Sequence, residues 1–242
     1  MDFNEFKEKI LKAFKEKIEL ELSDDQALKF FNYMNLLIEK NKVMNLTAIT
    51  EPDEIIFKHF VDSCMVSKFF CLDKKYIIDV GTGAGFPGIP LAIISPSSVF
   101  VLTDTLGKRI KFIDEVVNSL SLNNVKLFKT RAEDFAKCEN FREKFDYAIA
   151  RGVARLSVLS EYTLPFCAIK GALLAYKMDD ISSELIDAEK AIRILGGMFH
   201  VKHSYKLYPD EPERCILEIK KIKSTPYGYP RKAGTPSKQP IA

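Results

Sequence analysis

The chain has 242 residues, 47% hydrophobic and 29% charged, with a formal net charge of +3, which fits one sizeable domain with an appendage or two small ones. No apolar run approaches the ~20 residues of a membrane helix, and Met1-Asp2-Phe3-Asn4-Glu5 does not read as a signal peptide. Five scattered cysteines without a C-x-x-C pair exclude a zinc or disulfide framework and point to reduced thiols in a cytoplasm.

Phe3, Phe6, Ile10, Phe14 and Ile18 recur at spacings of three and four, predicting an amphipathic helix over about 2–20. Ser23 with Gln26 is a capping-box pattern, and Ala27, Phe30, Phe31, Met34, Leu37 and Ile38 stripe a second helix to about Asn41. Pro52-Asp53-Glu54 opens a third, running to about Phe70. Together they predict a helical lobe over 1–72. From 73 the texture alternates. Strands are predicted at 76–80, 98–103, 125–129, 145–150 and 171–176, with helices at 88–95, 107–121, 132–137, 154–168 and 181–195. Such alternation means a parallel sheet with helices on both faces. Segments 198–208 and 214–223, joined by Pro209-Asp210-Glu211-Pro212, read as an antiparallel hairpin closing that sheet. The α/β domain thus spans 73–223, and a basic, Pro-rich tail follows over 224–242.

The first strand runs into Asp79-Val80-Gly81-Thr82-Gly83-Ala84-Gly85-Phe86-Pro87-Gly88. Glycines this dense, at the carboxyl end of a parallel strand, mark a place where a ligand meets the backbone. A Walker loop needs Lys-Ser or Lys-Thr after its last glycine, but Ile89-Pro90 stands there. The dinucleotide pattern G-x-G-x-x-G matches at Gly83–Gly88, yet Phe86 and Pro87 fill the turn where a pyrophosphate needs free N–H groups. An acidic residue two positions before G-x-G-x-G is instead the loop of class I methyltransferases that bind S-adenosylmethionine, a Rossmann-like α/β fold with a mostly parallel seven-stranded sheet. Asp79 either holds the loop or meets the methionine ammonium. Asp104, closing the second strand, is placed for the ribose hydroxyls. Arg131-Ala132-Glu133-Asp134, after the third strand, lies where adenine is read. Capping or loop solvation is the plain alternative for both aspartates.

After the fourth strand the chain reads Ala150-Arg151-Gly152-Val153, without the [DN]-P-P-[FYW] of exocyclic-amine methyltransferases or the cysteine of cytosine-C5 enzymes. Cys167 reads as core. An acceptor that is already nucleophilic, such as guanine N7, fits best, because it needs alignment and no general base. Arg151 is a candidate for the methionine carboxylate, for a substrate phosphate, or for a structural salt bridge. His59 and Asp62 share a helix face and suit packing or substrate positioning; no metal is expected.

The chain resembles the bacterial small-subunit ribosomal RNA methyltransferase G family, also called glucose-inhibited division protein B, from about residue 30 onward. The resemblance rests on Asn45-Leu46-Thr47, His59-Phe60-Val61-Asp62-Ser63, the glycine string 79–88, Lys108-Arg109, Ala132-Glu133, Arg151 and the tail 229–238. It departs at Gly152, where the family commonly has Ala, and in its long Lys- and Phe-rich first helix. The resemblance implies methylation of guanine N7 in the 530 loop of 16S rRNA with S-adenosylmethionine as donor; the partner expected is 16S rRNA or the small ribosomal subunit, with no membrane, and the chain is expected to act as a cytoplasmic monomer. It also implies cofactor contacts at Gly81, Phe86, Ala132, Glu133 and Arg151, alongside Asp79, Gly83, Gly85 and Asp104 from the loop reading.

Residues 219–242 carry Lys220, Lys221, Lys223, Arg231, Lys232 and Lys238 and no acidic side chain. With Pro226, Pro230, Pro236 and Pro240 opposing helix, they predict an extended strip for RNA phosphates, led by Arg231, Lys232 and Lys238. The alternatives to an rRNA methyltransferase are a methyltransferase of another acceptor, an NAD-dependent oxidoreductase, and a non-catalytic RNA-binding protein that keeps the fold.

Overall fold

β1 (Tyr76–Val80) lies at the heart of the sheet in the computed structural model, which describes residues 1–241. Its neighbours are β2 (Val99–Asp104) and β4 (Phe145–Arg151), and beyond these lie β3 (Val125–Lys129) and β5 (Cys167–Met178), all parallel. β6 (Gly197–Tyr205) and β7 (Arg214–Lys221) form the predicted hairpin, β7 running antiparallel to both β5 and β6. The order β3-β2-β1-β4-β5-β7-β6 is the expected mostly parallel, seven-stranded sheet. Strand order reverses between β1 and β4, so the carboxyl ends of these two strands flank the crevice where such sheets bind ligands.

Both sheet faces are covered, and side chains alternate between them. On β5, Ala172, Leu174 and Tyr176 enter one core while Leu173 and Ala175 enter the other. One face is covered by α6 (Gly88–Ile94) and α7 (Gly107–Ser119), the other by α8 (Ala132–Phe135), α9 (Leu156–Thr163) and α10 (Ser182–Ile194). β5 starts four residues before the predicted strand. Pro165 ends the helical run in a 3₁₀ turn at Leu164–Phe166, and Cys167 is the first, fully buried strand residue.

The opening helices are α1 (Phe3–Ile18) and α2 (Asp24–Met44), and the Ser23/Gln26 capping box is formed. Phe6 on α1 and Phe60 belong to the same buried cluster as Ile77 and Leu174, so the helices share the sheet's core. Tyr33 reaches furthest: its hydroxyl donates to Ala84 O at 2.6 Å and its ring stacks on Phe86. The predicted third helix is not one regular helix. It breaks into α3 (Pro52–Glu54), a π-helical stretch at Ile55–Val61, α4 (Asp62–Cys64) and α5 (Val66–Phe69). A π stretch often marks a functional segment, and here it carries His59. No helix among the described residues is long and apolar enough to cross a membrane.

The tail departs from the extended strip. It folds back on the body and ends in α11 (Thr235–Lys238), where Pro236 sits in the first turn, the place a helix tolerates proline. Lys221 is buried; its ammonium donates to Leu164 O at 2.8 Å, to Leu195 O and to Thr225 Oγ1, beside Glu143. Arg231 donates from Nε and Nη2 to the fully buried Glu161 carboxylate, at distances down to 2.6 Å. Two of the six counted cations are therefore structural anchors.

Candidate active site

The glycine loop leaves β1 and is tied to β2 by Gly81 N and Thr82 N donating to Thr103 O, at 2.9 and 3.0 Å. Gly81, Gly83 and Gly85 all have positive φ, but they face different things. A Cβ on Gly83 would meet nothing within 4 Å, so this stretch of backbone is open to a ligand. A Cβ on Gly85 would lie 2.7 Å from the Tyr33 hydroxyl and 2.8 Å from Ile89. That glycine faces inward and lets α2 approach.

Asp79 also lies behind the loop. It is fully buried, and its Oδ2 accepts from Thr82 Oγ1 at 2.6 Å and Gly88 N at 2.9 Å. Burial, partly offset by these bonds, pushes its carboxyl up to about 7. Of the two sequence options, holding the loop is the one the geometry takes.

In front of the loop is a cleft of about 280 Å³ whose walls include Gly81, Asp104, Ala132, Glu133, Gly152 and Val153. Asp104 spans its floor: Oδ2 accepts from Gly83 N at 3.1 Å and Arg109 Nη1 at 3.3 Å, and Oδ1 from Leu106 N at 2.8 Å. Glu133 is buried on the opposite wall, and its Oε1 accepts from Gly234 N of the tail at 2.8 Å. The carboxyl end of β2, the start of α8 and the tail thus meet at one cleft.

A second pocket, about 410 Å³, adjoins the first at Gly152. Arg151 stands in its wall with its charge already matched. Nη1 donates to Asp62 Oδ2 at 2.7 Å and Lys58 O at 3.0 Å, and the guanidinium lies over the Phe86 ring. Nη2 is 3.2 Å from His59 Nδ1. A guanidinium only donates, so Nδ1 accepts and the ring proton sits on Nε2, facing Thr47 Oγ1 at 2.8 Å. Burial, then the Arg151 charge, pulls His59 down to about 3. It is a neutral positioning group, stacked 4.4 Å from Phe86. Phe86 is sandwiched between Tyr33 and His59, under the Arg151 guanidinium, and is not among the residues that line the first cleft.

Sequence reasoning missed the far wall of this pocket, Tyr176, Tyr205 and Arg214. These come from β5, β6 and β7, and no local motif marks them. Lys232 and Lys238 are exposed on the tail. Among the described residues no group of three or more His, Cys, Asp or Glu is arranged to hold a metal.

Open space at Gly83, a carboxylate at the end of β2 and a second acid in the wall of the cleft fit an adenosyl group with its ribose. This fold and loop define the class I S-adenosylmethionine-dependent methyltransferases. Solved structures agree on the fold. The crystal structure of M. jannaschii TYW2 in complex with AdoMet aligns with TM-score 0.56 at 17% identity, over 72% of this chain and 80% of that one. A SAM-dependent methyltransferase from Aquifex aeolicus gives 0.53 at 16% identity, over 72% and 96%. A family model described as rRNA small subunit methyltransferase G matches residues 26–207. The chain is 46% identical over 233 residues to the ribosomal RNA small subunit methyltransferase G of Desulforamulus reducens, covering 96% of this chain and 97% of the relative. It is 47% identical to that of Alkaliphilus oremlandii, covering 96% and 98%. The chain belongs to the rRNA small subunit methyltransferase G family.

Asp104→Ala is expected to weaken S-adenosylmethionine and S-adenosylhomocysteine about equally, because ribose is common to both. Lost charge-assisted bonds of about 1.5–3 kcal/mol correspond to a roughly ten- to hundredfold loss. Calorimetric titration with each ligand checks this; a loss confined to one would place Asp104 at the methyl end.

Proposed function

We propose that the chain transfers the methyl group of S-adenosylmethionine to N7 of a guanine in the 530 loop of 16S rRNA, acting as a cytoplasmic monomer on rRNA or on the small subunit. The observation that carries this is the open space at Gly83, whose N–H donates to Asp104 beside the cleft at the switch point of the sheet, in a chain of this family. Gly81 and Gly83 admit the adenosyl backbone, Asp104 takes the ribose, and Ala132 and Glu133 border the adenine. When bound, the donor supplies an electrophilic methyl on a sulfonium. The in-plane N7 lone pair takes that methyl as the carbon–sulfur bond breaks, and no proton is lost. The protein's task is therefore alignment. His59, neutral with both ring nitrogens engaged, suits that task and not proton transfer.

Equilibrium dialysis with labelled S-adenosylmethionine and NAD tests the cofactor half of this reading. S-adenosylmethionine alone should bind; NAD in its place would overturn it. The exposed tail lysines serve the RNA half. Lys232→Ala with Lys238→Ala should leave S-adenosylmethionine affinity unchanged, reduce methyl transfer to RNA, and lower the slope of log affinity against log salt by about 0.7–0.9 per lost phosphate contact. Parental activity and parental salt dependence would show that these lysines only solvate the tail.

A further inference from the structure

We propose that the rim of the sheet at α7 and β3 grips RNA backbone phosphates beside the cofactor cleft, through Lys108, Lys111, Lys126, Lys129 and Arg131. This rests on the reading of rRNA as the substrate. All five side chains are exposed, and none forms an ion pair among the described residues. They stand together. Lys129 pairs in register with Asp104 at the end of β2, and a Cβ on Gly107 would lie 3.5 Å from its ammonium, so its side chain crosses the start of α7. Lys108 and Lys111 are neighbours one turn apart on that helix. Lys126 precedes Lys129 on β3, an edge strand of the sheet. Arg131 follows the strand and lines the cofactor cleft with Arg109 and Thr130.

The fold does not account for these charges. On α1, by contrast, Lys7, Lys9, Lys12 and Lys15 each have a carboxylate partner. The acids near the rim are spent elsewhere: Asp104 pairs with Arg109, Glu115 with Lys40 at 2.7 Å, and Glu133 is buried against Gly234 N. Only Asp114 and Asp134 remain on these elements to face five cations. The first turn of α7 carries no acid, although that end of a helix favours acids and disfavours cations. Helix stability is therefore no reason for Lys108 to stand there.

A surface of unmatched cations fits a polyanion, and its position selects which one. The rim borders the cofactor cleft through Arg131, and the tail that carries Lys232 and Lys238 reaches the same cleft through Gly234 N at Glu133. RNA drawn across the cleft thus meets cations from two separate parts of the chain. Lysines act on phosphate as point charges, and phosphate contacts position a nucleic acid without reading its sequence. The rim holds the RNA and leaves the choice of base to the site.

The test compares the parent with Lys111→Gln, Lys126→Gln and Lys129→Gln combined, three positions outside the cleft lining. Lys9→Gln, Lys12→Gln and Lys15→Gln combined, on α1, remove the same charge elsewhere. Affinity for unmethylated 16S rRNA is measured over a salt series, with S-adenosylmethionine affinity and thermal melting as controls. Each lost contact lowers the slope of log affinity against log salt by about 0.7–0.9, so between about 50 and 200 mM salt the parent should lose about twenty- to fortyfold more affinity than the rim variant. The α1 variant should keep the parental slope, as should arginine at the three rim positions. A parental slope in the rim variant, or an equal loss in the α1 variant, overturns the proposal. So does a loss of binding to phosphatidylglycerol vesicles with RNA affinity unchanged, which would give the rim to a membrane. Binding is read without methyl transfer, so a parent that binds 16S rRNA but modifies no guanine N7 fails the guanine reading alone. A parent that does not bind 16S rRNA removes both.

Discussion

Gly83→Val abolishes S-adenosylmethionine binding and leaves the fold standing. A Cβ at residue 83 meets no protein atom within 4 Å, so the valine has room in the fold and occupies the space the ligand needs. A β-branched residue at φ +64 costs about 1–2 kcal/mol of backbone strain, which a loop at the rim of a seven-stranded sheet absorbs. Dialysis against labelled cofactor and a thermal melt check the two halves. Unchanged affinity would mean that the glycine loop is not the binding surface. The same substitution two residues on should act in reverse. A side chain at Gly85 strikes Tyr33 and Ile89, so Gly85→Val loses stability first and binding only as a consequence.

Arg231→Ala lowers stability by about 3–5 kcal/mol, the usual effect of stripping one partner from a buried ion pair. Glu161 is fully buried and accepts from Nε and Nη2 along one edge of the Arg231 guanidinium as well as from Arg231 N. Without it the carboxylate is left short of a counter-charge, and the tail that brings Gly234 N to Glu133 is released at its anchor. Urea unfolding measures the first effect. A weaker S-adenosylmethionine affinity in the folded variant measures the second. Parental stability combined with a selective loss of RNA methylation would return Arg231 to the RNA-contact role that the charge count suggested.

The strand–helix alternation was legible because each apolar run is bounded by its own turn residues, and the glycine string was legible because its residues are adjacent in the chain. What escaped was set by distant partners. Which glycine has open space beside it depends on Tyr33, 52 positions before Gly85. Counting tail charges could not separate Lys232 from Arg231, because the Glu161 that claims Arg231 lies on α9. The helix from Pro52 was read as regular because its apolar stripe continues through Ile55–Val61, whereas its π geometry sets His59 and Asp62 against Arg151 on β4. Arg214 carries no sequence signal at all. It is one basic residue on a strand, and its meaning comes from β5 and β6 on either side.

The central claim is tested most directly by mass mapping of 16S rRNA nucleosides from cells with and without this gene. A single 7-methylguanosine in the 530 loop should be present with the gene and absent without it, and the purified protein with S-adenosylmethionine should restore it to the unmethylated RNA. Identical methylation in both cells, or restoration of a methyl group at any other atom, would contradict the assignment.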